Sequence, residues 1–312
     1  MKKSEYGHTP VLLNEVLQGL NIRTDGCYVD CTFGRGGHSR AILQCLGAQG
    51  RLFAIDKDPE ARTTLDAQLK NDGRLVLLQG SYTKLRKMIE DYKKMHQVHG
   101  IVFDLGVSSP QLDDAHRGFS FGKDGPLDMR KDDSTGTTAA EWLARATEHE
   151  IEQVLRHYGE ERHAKKIARA IVKNRQDQSL LRTGQLADLI SMSVPSREKH
   201  KHPATRTFQA IRIFLNRELE ELSMALEQSV EVLAAGGRLV VISFHSLEDR
   251  LVKRFMREMA RGDRYPPGLP VTDNMLHPRM KLIGRVVYPS ASEVDANPRA
   301  RSAVLRVAEK IV

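Results

Sequence analysis

Cys27-Tyr-Val-Asp30-Cys31-Thr-Phe-Gly34-Arg-Gly36-Gly37-His38-Ser39 decides the fold. Its first five residues form a short run of strand formers. Three glycines follow, and glycine lets a backbone turn sharply and approach a ligand closely. Residues 38–47 then read as a helix, whose first N–H groups lack partners within the helix. The rhythm repeats downstream. Arg51-Leu-Phe-Ala-Ile-Asp56, Arg74-Leu-Val-Leu-Leu-Gln79 and Gly100-Ile-Val-Phe-Asp-Leu105 read as strands, with helices expected near 58–70 and 82–95. Such βαβα alternation implies a parallel sheet covered by helices on both faces, an α/β fold of the doubly wound kind.

The alternation stops after Leu105. Residues 106–136 are rich in Gly, Asp and Ser and read as ordered loop. From Gly159 to Asn174, Ala164, Ile167, Ala168, Ile171 and Val172 make one apolar helical stripe. Arg162, Lys166, Arg169 and Lys173 project from the other side. Arg197–Pro203 is a basic loop. Phe208, Ile211, Leu215, Leu219, Leu222 and Leu226 mark one long amphipathic helix, closed by Ala234-Ala-Gly-Gly237. Gly237-Arg-Leu-Val-Val-Ile-Ser243 resumes the strand pattern, and Ser246-Leu-Glu-Asp249 reads as a capping box. Residues 262–300 look loop-like, and Ser302–Ala308 looks like a last strand. The simplest division is a discontinuous α/β domain, 1–112 and 208–312, with an inserted helical domain at 113–207.

The chain has 312 residues, 40% apolar and 28% charged, which suits a globular protein. No stretch approaches the ~18 apolar residues of a membrane span. Pro10, Asn14 and Glu15 interrupt any apolar run behind the basic N-terminus, which argues against a secretory signal. Three cysteines, Cys27, Cys31 and Cys45, make no disulfide framework and fit a reducing cytoplasm. Cys27-x-x-x-Cys31 is not a usual zinc pair, so no metal is expected. The net charge is +8, and residues 156–217 alone hold 14 Lys+Arg against five Asp+Glu. Clustered basic charge is the footprint of a polyanion partner, against which stands a merely solvated face.

Asp56 ends the second strand, 20 residues past Gly36. A carboxylate there suits a ribose diol. A dinucleotide fingerprint G-x-G-x-x-G counted from Gly34 would need glycine at Ser39, and no Walker loop occurs. The spacing puts an S-adenosylmethionine loop and methyl transfer ahead of nicotinamide hydride transfer, with both left open. Asp104-Leu-Gly-Val-Ser-Ser-Pro-Gln111 follows the fourth strand. An acid before such a turn can bring a carboxylate and carbonyls to a substrate amine; the competing reading is an ordinary turn capped by Asp104.

At these motifs the chain resembles the MraW/RsmH family of bacterial 16S ribosomal-RNA cytosine-N4 methyltransferases. The resemblance rests on His8-Thr-Pro-Val-Leu-Leu-Asn-Glu15, Thr32-Phe-Gly-Arg-Gly-Gly-His-Ser39, Asp104-Leu-Gly-Val-Ser-Ser-Pro-Gln-Leu-Asp113 and Arg117-Gly-Phe-Ser-Phe121. It continues through Gly125–Arg130, Tyr158–Arg162, His202–Ala210, Ser243–Arg250 and Asn297–Ser302, nearly the whole chain. It implies a class I S-adenosylmethionine-dependent, Rossmann-like domain with a helical insert for substrate. It also implies cofactor contacts at Gly36, Gly37, His38, Asp56, Tyr82, Asp104 and Gln111. Cys31 stands where many members have Gly, and Tyr82 where many have Phe. The implied partner is 16S rRNA near the decoding centre, within the assembled small subunit, in the cytoplasm, with no membrane and with a homodimer left open.

For methylation of an exocyclic amine, Asp104 is the candidate catalytic acceptor, with the carbonyls of Ser108–Pro110 as the alternative. C5 chemistry would need a cysteine nucleophile, and the cysteines are expected away from the fourth strand tip. Arg162, Lys166, Arg169 and Lys173, with Arg206 and Arg212, are candidates for RNA phosphates, an internal ion pair being the alternative for the last two. His8 and His245 are more simply structural hydrogen-bonders than acid/base groups. A non-catalytic RNA-binding module is the remaining rival, against which stand the intact glycine loop, Asp56 and Asp104.

Overall fold

Val29 and Phe53 lie in one apolar layer, while Tyr28, Leu52 and Ala54 lie in another. Phe103 and Val241 join the first, Val102 and Val240 the second. Successive side chains of a strand point to opposite faces, so this alternation between two buried layers marks a sheet covered on both sides. The structure is a computed structural model that describes residues 10–63, 65–195, 202–263, 265–266, 272 and 275–312.

Seven strands form the sheet: β1 (Cys27–Asp30), β2 (Arg51–Asp56), β3 (Leu75–Gln79), β4 (Val98–Asp104), β5 (Leu233–Ser243), β6 (Met280–Leu282) and β7 (Val304–Lys310). Their order is β3-β2-β1-β4-β5-β7-β6. The pairs β1–β2, β1–β4, β2–β3 and β4–β5 are parallel; β7 runs antiparallel to β5 and to β6. The chain winds outward from β1 to β3 and then returns to lay β4 on the other side of β1. In doubly wound sheets ligands bind outside the carboxyl ends of the strands at such a reversal, here the ends of β1 and β4. Asp30, Asp56 and Asp104 are the last residues of β1, β2 and β4.

Several expected elements differ. The helix expected over 58–70 is two short ones, Glu60–Thr63 and Ala67–Lys70, the second opened by Asp66, whose carboxylate accepts the Leu69 N–H. Residues 82–95 give a 3-10 turn at Tyr82–Lys84 and a helix over Leu85–Asp91. The long helix expected through 208–226 is broken into Thr205–Leu215 and Glu218–Val232. Between them Arg217 is left-handed (φ 50°). Asn216 donates its side-chain amide to the carbonyls of Arg212 and Met129 there, so the apolar period continues across a turn. Ala234–Gly237 belongs to β5 as an irregularity, with Val98 paired to Leu233 and Gly100 already to Arg238. β6 lies inside the stretch expected to be loop, and its three residues are too few to leave an alternating pattern.

The chain divides into two compact units, Met1–Gly106 with Leu219–Val312, and Val107–Glu218. The boundaries fall at 106 and 218, where 112 and 207 were expected. The helix Thr205–Leu215 lies in the second unit because it packs on the helix Glu148–Gly159. A Cβ on Gly159 would stand 2.7 Å from the Arg206 carbonyl oxygen, so the two backbones meet closely. The second unit is built of helices around its own core, which includes Ile151, Leu155, Ile167, Ile171, Ile190 and Ile211.

Candidate functional site: a cofactor crevice at the strand tips

The glycine turn is stitched to its neighbours. Gly36 caps the helix Gly37–Cys45 in the left-handed region (φ 74°), which glycine adopts without cost. A Cβ there would lie 2.7 Å from the Leu69 side chain and 2.9 Å from the Phe33 ring. Gly34 donates its N–H to Asp56 Oδ2 at 2.6 Å, and Asp58 donates its N–H to Asp56 Oδ1 at 2.8 Å. These two N–H groups hold the Asp56 carboxylate in place at the tip of β2. Tyr82, half-buried just beyond β3, meets Phe103 edge-on with ring centroids 5.6 Å apart.

Behind the turn lies a buried polar network. Asp30 accepts the Thr32 N–H at 3.0 Å and the Ser39 hydroxyl at 2.7 Å. Thr32 Oγ1 accepts the Asp104 N–H at 2.7 Å, which joins the tips of β1 and β4. His38 Nε2 lies 3.0 Å from the Val11 carbonyl, an acceptor, so Nε2 carries the proton. Its Nδ1 faces Asp104 Oδ2 at 3.6 Å. Asp104 Oδ1 is buried and has no hydrogen-bond partner among the described residues. Burial pushes the Asp104 carboxyl up to about 6. The His38 ring opposes that shift, while Asp30 and Glu248 add to it. Burial also raises Asp30.

These features fit S-adenosylmethionine. A glycine turn opens a helix, a carboxylate held by backbone N–H groups ends β2, a ring stands beyond β3, and an unsatisfied carboxylate oxygen ends β4. A sulfonium cation suits such an acidic crevice. Bound there, the cofactor would supply an activated methyl group.

Residues 5–311 match the MraW methylase family. The chain belongs to the MraW methylase family. It is 55% identical over 304 residues to the ribosomal RNA small subunit methyltransferase H of Nitrosococcus oceani, covering 97% of this chain and 96% of the relative. Among solved structures, an rRNA methylase from Streptococcus thermophilus aligns with TM-score 0.43 and 10% identity, covering 96% of this chain and 95% of the other. An S-adenosylmethionine-dependent O-methyltransferase from Thermotoga maritima aligns with TM-score 0.42 and 10% identity, covering 96% and 64%. With its strand order and its family, the sheet of this methylase is a class I, Rossmann-like one.

The first unit of the methylase holds Gly36, Gly37, His38, Asp56, Tyr82 and Asp104 on the loops and tips of its carboxyl edge. Gln111 lies in the second unit, where it closes a capping box: the Ser108 N–H donates to Gln111 Oε1 at 3.0 Å. Arg162, Lys166, Arg169 and Lys173 are all exposed on one side of the second unit, with Arg169 lying 3.5 Å from Glu148. Arg206 is half-buried and donates to the Glu160 carbonyl at 3.3 Å. Arg212 is not a surface cation. Its side chain is 14% exposed and pairs with Glu218 at 3.0 Å, so it serves the interior of its own unit.

Two other expectations are corrected. Cys31 is not remote from the fourth strand, since its N–H donates to the Val102 carbonyl at 2.9 Å. Burial raises its thiol well above the ordinary value and does the same to Cys27, which reaches about 11. The chemical objection to a thiolate nucleophile therefore stands on burial rather than on distance. The capping box of the helix Ser246–Arg261 begins one residue earlier than expected, on His245, whose ring accepts the Glu248 N–H. Its Nε2 lies 3.1 Å from Glu248 Oε1. His8 lies outside the described residues. The Asp30–Ser39–Thr32 network was not foreseen, although an acid ending β1 was its visible signal.

Proposed function

We propose that this methylase transfers a methyl group from S-adenosylmethionine to the exocyclic N4 amine of a cytidine in 16S rRNA. The observation that carries the amine chemistry is Asp104 Oδ1, buried and unbonded at the tip of β4. The amine of cytosine is a poor nucleophile because its lone pair is delocalised into the ring. An acceptor on that NH2 group favours pyramidal nitrogen and takes up developing positive charge. Asp104 in its ionised form is the acceptor, and Thr32 Oγ1 fixes its backbone by accepting the Asp104 N–H. The protein's remaining task is to align donor and acceptor.

The small-subunit rRNA named for the 55%-identical relative supports the choice of substrate. The exposed cations Arg162, Lys166, Arg169 and Lys173 support a polyanion at the second unit, and Arg206 belongs to the same reading. The acceptor base must be unpaired or flipped out to be reached. The full reading has the assembled small subunit as substrate, in the cytoplasm, with the oligomeric state left for sedimentation to decide. No helix of the described residues is long and apolar enough to cross a membrane.

The deciding experiment incubates the protein and labelled S-adenosylmethionine with small subunits from cells lacking the enzyme, followed by nucleoside mass spectrometry. Label in N4-methylcytidine is expected. Label in another nucleoside would discard the amine mechanism and keep the methyltransferase. No label, despite measurable cofactor binding, would favour an assembly module.

A further inference from the structure

The helix Ser246–Arg261 of the first unit carries Arg250, Lys253, Arg254, Arg257 and Arg261, which together with Glu258 and Gly262 line a shallow concavity of about 600 Å3. At 3.6 residues per turn the five cations fall within an arc of about 100°, and the stripe runs about 16 Å along the axis. The opposite side is consumed by the core: Val252 and Met256 are buried, and Leu251, Phe255 and Met259 pack against the same cluster. Arg254 pairs with Glu258 at 3.1 Å. Lys253, Arg257 and Arg261 have no ion partner among the described residues.

Stability does not explain the stripe. Arg250 and Arg254, Lys253 and Arg257 are like charges at i, i+4 and repel each other. The helix dipole favours cations only in the last turn, at Arg261. A function that uses the charge does explain it.

We propose that this face is a phosphodiester-binding surface for the RNA substrate, additional to the cationic side of the second unit. The inference rests on the rRNA reading above. Arginine dominates the stripe, and its planar fork matches phosphate oxygens. A lipid surface would need the apolar side of the helix to face outward, and here it faces the sheet. A protein partner would need aromatic or apolar anchors on the stripe, which has none.

The test uses the full chain and small ribosomal subunits from cells lacking the enzyme. Binding is measured across a salt series for the wild type and for Lys253→Gln/Arg254→Gln/Arg257→Gln. Each phosphate that the protein neutralises adds about 0.7–0.9 to the slope of log K against log[salt]. The variant should therefore flatten the slope by about 2 and weaken binding roughly tenfold to a hundredfold at moderate salt. Its melting temperature should stay level or rise, and its calorimetric affinity for S-adenosylmethionine should not change. Lys253→Arg/Arg254→Lys/Arg257→Lys should keep the slope. Unchanged slope and affinity in the Gln variant, with the wild type binding RNA, would overturn the proposal. So would loss of binding to phosphatidylglycerol vesicles with the RNA slope intact. A wild-type chain that neither binds nor methylates rRNA would overturn the functional reading instead, and this surface with it.

Discussion

Replacing Asp104 by Asn should stabilise the protein at neutral pH. The carboxyl is raised from 3.8 to about 6, mainly by burial. A shift of that size is about 3 kcal/mol of preference for the neutral form in the folded state. The sign follows from linkage. Below pH 4 the acid is protonated in both states, and the stability associated with the raised value is fully present. As pH rises, the unfolded chain releases the proton first, so native stability falls through pH 4 to 6 and levels off above it. Asn mimics the neutral acid and cannot ionise, so it escapes this loss. Urea unfolding of the cofactor-free protein should show the variant gaining up to about 3 kcal/mol over wild type at pH 7.5. At pH 4 the two should be nearly equal. Asp30 is raised in the same direction, so both proteins retain a shared residual slope. A pH-independent difference between the two curves, or a variant less stable at pH 7.5 than at pH 4 relative to wild type, would refute the account of Asp104 as a strained, buried acid.

The same acid sets the rate: kcat/KM should climb as pH passes about 6 and then level, and Asp104→Asn should lose roughly a hundredfold or more, as read by single-turnover methyl transfer. Asp56→Ala removes hydrogen bonds from a charged acceptor, each worth about 1.5–3 kcal/mol, so calorimetry should show S-adenosylmethionine bound at least tenfold more weakly. Gly36→Ala must hold φ 74° and crowd Leu69 and Phe33; thermal melts should register a loss of about 2–4 kcal/mol. Arg162, Lys166, Arg169 and Lys173 replaced together by Gln should flatten the salt dependence of RNA binding by about 3 with little change in melting temperature. Arg212→Gln should do the reverse, costing about 2 kcal/mol of fold because Glu218 stays 5% exposed with Lys131 as its other cation, and leaving the salt slope intact.

Every strand but β6 was legible because those strands are apolar and bounded, and because Asp30, Asp56 and Asp104 end three of them. The helices were less so. A hydrophobic period records which side is buried and is silent about a turn that preserves it, which is how Asn216 and Arg217 could divide a helix whose apolar pattern runs on unbroken. The candidate site was legible where one residue type has one job: glycine at a left-handed cap, an acid at a strand tip. It was illegible where the job depends on a neighbour distant in sequence. Nothing near Arg212 in the chain distinguishes it from Arg206 except Glu218, six residues on, and burial alone makes that neighbour decisive.

Charge shows the same limit most sharply. Summed along the chain, residues 156–217 carry the cationic excess, and the helix Ser246–Arg261 draws no notice because Glu248, Asp249 and Glu258 dilute its sum. Phosphates do not meet a sum. They meet a face, and Glu248 is buried while Asp249 is tied to Arg306 at 2.7 Å. Once those two acids are turned inward, what remains outside is a stripe of arginines and one lysine, with Glu258 beside it. The surplus visible in the sequence and the field presented to a polyanion are therefore different quantities, and only the fold converts one into the other.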